Sequence, residues 1–95
     1  MRKYDVTSTK RYKKDYKRLR KSGRDLGKLD RVIDTLARDE KLAEIYRDHA
    51  LSGELEGRRE CHIGPDWLLV YRKDKDALIL LLLRTGTHRE TLGIE

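Results

Sequence analysis

Apolar positions recur along this chain with two different periods, and the change from one to the other falls near its middle. Tyr12, Tyr16 and Leu19 stand at i, i+4 and i+7 and make one narrow stripe on a helix. Ser8 or Thr9 can cap that helix, it runs through Ser22, and Gly23 supplies the stop. Asp25 then opens a second helix, on which Leu26, Leu29, Ile33, Leu36 and Ala37 recur every three or four residues, ending in the stretch 38–41. Before both, residues 4–7 alternate weakly and predict a short strand. From residue 58 onward the period is two. Strand 58–63 places Cys61 and Ile63 on one side and Glu60 and His62 on the other, strand 67–73 follows, and residues 77–83 form a continuous apolar run. By length that run could also be a buried helix, but the turns on either side of it favour a strand covered on both faces. Residues 39–57 have mixed polarity, with Ile45, Tyr46 and Leu51 as anchors and Gly53 and Gly57 as turn points, and predict a long ordered loop that contains His49.

Turns at Gly64-Pro65-Asp66 and at residues 73–76 fold the segment 58–84 into a three-strand antiparallel meander. Counting pairs across them sets His62 opposite Trp67 and Asp66 opposite Arg84, with Thr87 and His88 just beyond the last strand. The expected class is therefore α+β, with one domain spanning residues 1–95. A chain of this length buries roughly 60 to 65% of its unfolded surface. Its composition, 37% hydrophobic and 42% charged, allows only a small core, so the ordered state leans on a partner. The single cysteine, Cys61, forms no internal disulfide and reads as a small buried hydrophobe. With no apolar run of signal-peptide or membrane-spanning length, the expectation is a reducing, cytoplasmic setting and no membrane.

The net charge of +6 is unevenly spread: residues 1–31 carry 13 Lys and Arg against 4 Asp and Glu, whereas the remainder is net negative. A local positive field of that kind suits a polyanion, with RNA or DNA first, an acidic protein second and a membrane surface third. A lone basic run is as often just a solvated helix face. What tips the balance lies downstream. Cutting RNA without a metal takes a base for the 2′-hydroxyl proton, an acid for the leaving 5′-oxygen, positive charge on the developing phosphorane and a surface that holds the bases. His62 paired with Asp66 offers the acid–base chemistry, Arg84 a planar fork for phosphate, and Trp67 or Tyr71 a ring face. Singly, each has a plainer reading: a structural histidine, a core indole, a turn aspartate. Three histidines converging with an arginine outweigh those readings. A zinc site from His49, His62, Asp66 and His88 is disfavoured, because no pair has helix-face or knuckle spacing; no metal or other cofactor is expected.

Three segments, Tyr46-Arg47-Asp48-His49-Ala50-Leu51-Ser52-Gly53, Arg59 to Tyr71 through Cys61-His62-Ile63-Gly64-Pro65-Asp66-Trp67, and Arg84-Thr85-Gly86-Thr87-His88, closely resemble the YafQ-type toxins of type II toxin–antitoxin systems, within the RelE/ParE superfamily. The resemblance spans nearly the whole chain. It implies a RelE-like microbial-RNase-type fold, two N-terminal helices packed on a small antiparallel sheet, and an endoribonuclease that cleaves mRNA in the ribosomal A site and stops translation. It implies His49, His62, Asp66 and His88 as catalytic residues, Arg84 as the phosphate-binding arginine, and Trp67, Thr87 and Leu92 as substrate or base contacts. His62 or His49 with Asp66 would act on the 2′-hydroxyl and His88 on the leaving oxygen, although swapping base and acid fits the sequence equally. Lys10, Lys13, Lys14, Lys17, Arg18 and Lys21 of the first helix would face ribosomal RNA. The partners implied are the ribosome, mRNA and an antitoxin, with a monomeric free toxin and a heterotetrameric complex. One departure concerns Leu92, which stands where the family commonly has an aromatic residue, in a chain without Phe. A ParE-like gyrase inhibitor on the same fold would have no use for three histidines, and a basic nucleic-acid-binding module would keep its toxicity when they are replaced.

Overall fold

Each long helix starts where a side chain replaces a missing backbone partner. The computed structural model describes residues 2–92, without the Leu92 side chain, so the expectation placed on that side chain lies outside the described atoms. The Thr9 hydroxyl accepts the Tyr12 N–H at 3.0 Å and donates to the Leu83 carbonyl at 2.9 Å, so the cap of α1 (Lys10–Lys21) also pins the helix to the sheet. Gly23, at φ +80°, takes the chain out of that helix in a left-handed conformation that other residues reach only with strain. Asp25 caps α2 (Leu26–Ala37) through the Lys28 N–H.

The sheet has five strands, β1 (Asp5–Ser8), β2 (His49–Ala50), β3 (Arg59–Gly64), β4 (Trp67–Asp74) and β5 (Ile79–Gly86), in the order β1-β5-β4-β3-β2. β3, β4 and β5 form the expected antiparallel meander. The two edges add what periodicity did not reveal: β1 lies parallel to β5, and β2 pairs only His49 and Ala50 with Glu60 and Arg59. The sheet is thus mixed, since the chain leaves β1 into helices instead of a hairpin and no turn dictates its direction. β5 also begins later than the apolar run. The Asp74 carboxylate accepts the N–H groups of Asp76 and Ala77, holding the chain in a turn through Leu78 (φ +56°), and the strand continues to Gly86.

One face of the sheet packs on the helices. Tyr12 and Leu19 of α1 and Leu29, Val32, Ile33, Leu36 and Ala37 of α2 join Cys61, Ile63, Trp67, Leu69, Tyr71, Leu80 and Leu82 in a single core. β5 is buried on that face and only half-buried at Ile79, Leu81 and Leu83, so it is not covered on both faces as its composition suggests. Two irregularities shift the register from simple counting: one between His62 and Gly64 sets His62 opposite Leu68 and Gly64 opposite Trp67, and one between Val70 and Tyr71 sets Arg84 opposite Val70. Asp66 lies outside the ladder, in the two-residue loop between β3 and β4, with φ +48°.

Candidate active site

On the sheet face opposite the helices, neighbouring strands place His49, Glu60, Val70 and Arg84 side by side in one row, and His62 stands two residues along β3 from Glu60. After Gly86 the chain turns into α3 (His88–Leu92), which begins with a reciprocal cap: the Thr87 hydroxyl accepts the Glu90 N–H at 3.1 Å, and the Glu90 carboxylate accepts the Thr87 N–H at 2.9 Å. The cap carries His88 over the end of the sheet. The three histidines then form a file, with ring centroids 6.3 Å apart for His49 and His62 and 5.7 Å for His62 and His88.

Each outer histidine has its own carboxylate. Asp66 accepts from the His88 backbone N–H at 3.2 Å and bonds its Nδ1 at 3.1 Å, and those bonds hold the Asp66 carboxyl below its usual pKa. The expected His62–Asp66 pair therefore does not form; the turn aims Asp66 at α3 instead. His49 is held by Glu60, with Nε2 2.9 Å from Oε2, and by the Arg47 carbonyl, 2.7 Å from Nδ1. Both partners are acceptors, so the two bonds form together only when both ring nitrogens carry hydrogen. His62, between them, has no hydrogen-bond partner among the described residues. Burial lowers its pKa, against the pull of Glu60 and in the same direction as the neighbouring His88, Arg47 and His49.

Other expected contacts lie elsewhere. Trp67 is 5% exposed and sits in the core, its indole N–H donating to the Thr85 hydroxyl at 3.1 Å, while the Arg24 guanidinium stacks 5.2 Å from the ring centroid. Tyr71 is equally buried, donates to Asp48 and accepts from Arg59, which ties down the segment bearing His49. Neither ring offers a face to a base. The apolar surface that does adjoin His62 is a recess of about 380 Å³ bounded by Ile45, Tyr46, Gly64 and Pro65, with Lys28 and Arg47 at its edge; Ile45 is 81% exposed. The Thr87 hydroxyl is occupied by its capping role. Arg84 is drawn away from the histidines toward α1: Asp15 accepts from its Nε at 2.7 Å and from its Nη2 at 3.3 Å, which raises the Arg84 pKa. Asp15, 2% exposed, also accepts the Thr85 N–H at 3.1 Å and pairs with Arg18 at 3.1 Å. Arg18, which pairs with Glu90 as well at 3.2 Å, is therefore a strut between α1 and α3, while Lys10, Lys13, Lys14, Lys17 and Lys21 are exposed. Cys61 is fully buried, and burial pushes its thiol pKa up, as expected of a core residue.

Three residues escaped the sequence reading. Asp15 had a usable signal: it sits three residues after Tyr12 and four before Leu19, on the apolar stripe, and is the only acid in α1. Glu60 faces the same side as His62, but a single acid in a strand carries no signal of its own. Arg47 had none. Ligand atoms of Glu60, His62 and His88 lie within 4.8 Å of one another, and Glu60 Oε1 is buried without a partner among the described residues. Two imidazoles and a carboxylate suit a borderline divalent ion such as copper or zinc; this set differs from the one weighed on spacing alone.

A mixed five-stranded sheet with two helices on one face is the fold of solved bacterial toxins of type II toxin–antitoxin systems. The chain is 34% identical to YafQ in the Escherichia coli DinJ–YafQ toxin–antitoxin complex, with a TM-score of 0.82 over 90% of this chain and 93% of that one. A copper-bound variant toxin from Helicobacter pylori is 41% identical, with a TM-score of 0.86 over 95% of this chain and 98% of that one. The "mRNA interferase toxin YafQ" of E. coli K12 is 36% identical over 94% of this chain and 96% of its own length. The profile of a family described as "Bacterial toxin of type II toxin-antitoxin system, YafQ" matches residues 4–93. The chain belongs to the YafQ toxin family.

Proposed function

We propose that this toxin is an endoribonuclease that cuts mRNA in the ribosomal A site by attack of a 2′-hydroxyl on the adjacent phosphate. The observation that carries the reading is the His62–His88 pair, 5.7 Å apart, with only His88 anchored to a carboxylate. His62, whose environment favours the neutral ring, takes the 2′-hydroxyl proton; the 2′-oxygen bonds to phosphorus; and the 5′-oxygen leaves with a proton from His88. The products are a 2′,3′-cyclic phosphate and a 5′-hydroxyl. Asp66 orients His88 and stabilises its protonated form. His49, held by Glu60, stands beside the reacting phosphate, Arg47 adds positive charge there, and Arg84 binds phosphate at the far end of the row. The base next to the cut lies in the recess of Ile45, Tyr46 and Pro65, in place of the stacking surface expected at Trp67. The name of the E. coli relative, an mRNA interferase, supports the same chemistry.

The DinJ–YafQ complex of the E. coli relative supports an antitoxin partner, which would wrap the basic surface of a monomeric toxin and assemble as a heterotetramer. Glu60, His62 and His88 would hold a copper ion like the one carried by the H. pylori relative. An ion bound there occupies the nitrogens that move protons. A gyrase inhibitor on this fold is not favoured, since the histidine file would then serve nothing. Primer extension on an mRNA in a reconstituted translation reaction, beside the same RNA without ribosomes, tests the proposal. Cuts in register with codons on ribosomes alone are expected; cuts on naked RNA would make the protein an autonomous nuclease, and none in either reaction would end the nuclease reading.

A further inference from the structure

Four arginines and no lysine line a cleft of about 560 Å³ where the outer sheet face meets the start of α1 and α3: Arg11, Arg58, Arg84 and Arg89, over a floor that includes Leu55 and Val70. Val70 stands between Glu60 and Arg84 in the cross-strand row, so Arg84 lies about 10 Å, two strand spacings, from the strand of the carboxylate that holds His49. We infer that this cleft holds the sugar-phosphate backbone of the RNA strand flanking the scissile phosphate, a second phosphate subsite beside the histidine file.

The choice of side chain supports RNA over a diffuse field. The outer face of α1 presents lysines at 10, 13, 14, 17 and 21, which act as hydrated point charges, whereas guanidinium forks match phosphate oxygens in pairs. Arg84 is pre-set, because Asp15 fixes its Nε and Nη2, and Nη1 has no hydrogen-bond partner among the described residues. The side chains of Arg11 and Arg58 have no hydrogen bond or ion pair among the described residues. The one acid in the wall, Glu90, is already matched by Arg18 and the Thr87 N–H. The cleft is therefore a cationic groove that shares the cross-strand row of His49, Glu60, Val70 and Arg84.

The inference rests on the outer face being the RNA site, and the test separates the two. Arg11→Gln and Arg58→Gln, singly and together, are placed in a slow-cutting His88→Ala background, and binding of a short fluorescein-labelled single-stranded RNA is followed by anisotropy at several salt concentrations. Each variant should weaken binding and reduce the salt slope by about 0.7 for every phosphate it no longer neutralises. Slopes equal to that of His88→Ala alone overturn the subsite, and if antitoxin binding alone weakens, the cleft belongs to the antitoxin. Reduced slopes together with an absence of cutting on translating ribosomes by the protein with His88 intact would leave the subsite standing and remove the nuclease reading.

Discussion

His62 and His88 stand side by side yet differ in what restrains them, and this difference sets what each can do. Nothing among the described residues hydrogen-bonds the His62 ring, and burial lowers its pKa. A base works only when neutral, so activity should fall as pH drops through the His62 pKa. That acid limb of kcat/KM should lie below the ordinary imidazole value of about 6.5, and a limb at or above 6.5 would contradict the assignment. His88→Ala should slow cleavage roughly 10² to 10⁴-fold, the usual worth of a proton-transfer group, while RNA binding stays near normal. A variant of normal activity would remove His88 from the mechanism. The same nitrogens make the pair sensitive to metal. Copper(II) should inhibit cleavage and a chelator should restore it, and Glu60→Gln should weaken that inhibition by replacing a charged ligand with a neutral one. Inhibition equally strong in Glu60→Gln would place the copper elsewhere.

At the scale of elements, the helices and the meander were legible because their periods are unbroken: Tyr12, Tyr16 and Leu19 on α1, the Leu29–Leu36 stripe on α2, and the alternation of β3. Less legible was anything set by a single residue out of step. The bulge after His62 moved Trp67 away from it, and the left-handed Asp66 turned its carboxylate toward His88; no pattern of apolar positions records either. Thr87-His88-Arg89-Glu90 carries a capping-box signature, but no apolar stripe follows it to mark a helix. Asp15 is the most consequential of these residues. Beyond β1, β5 has an unpaired edge, and the buried Asp15 carboxylate accepts the Thr85 N–H there while gripping Arg84. Asp15→Ala strands both groups. Removing one partner of a buried pair costs roughly 3 to 5 kcal/mol, and with Arg84 21% exposed the expectation here is about 3 kcal/mol in urea denaturation. Asp15→Asn, which keeps an acceptor for Thr85, should lose less. A loss below about 1 kcal/mol for the alanine variant would show that solvent already satisfies the pair.

Over the whole molecule, the positive charge separates into two surfaces. Arg11, Arg58, Arg84 and Arg89 line one cleft, whereas Lys10, Lys13, Lys14, Lys17 and Lys21 on α1 are exposed. Arg18 falls out of that second set, because its pairs with Asp15 and Glu90 hold α1 against α3. Lys13, Lys14 and Lys17 can therefore be reversed to Glu without touching the fold, and three reversals of two charges each take the net charge from +6 to zero. If this helix docks on ribosomal RNA, the triple variant should associate with ribosomes far more weakly, and its residual binding should depend less steeply on salt, since fewer counterions are released per complex. The melting temperature should stay within a few degrees of the parent, because surface substitutions of this kind usually stay within about 0.5 kcal/mol each. Binding of short RNA to the cleft should change much less than ribosome binding. Ribosome binding with an unaltered salt slope would instead mean that the lysines only solvate the helix and that the arginine cleft alone carries the electrostatic attachment.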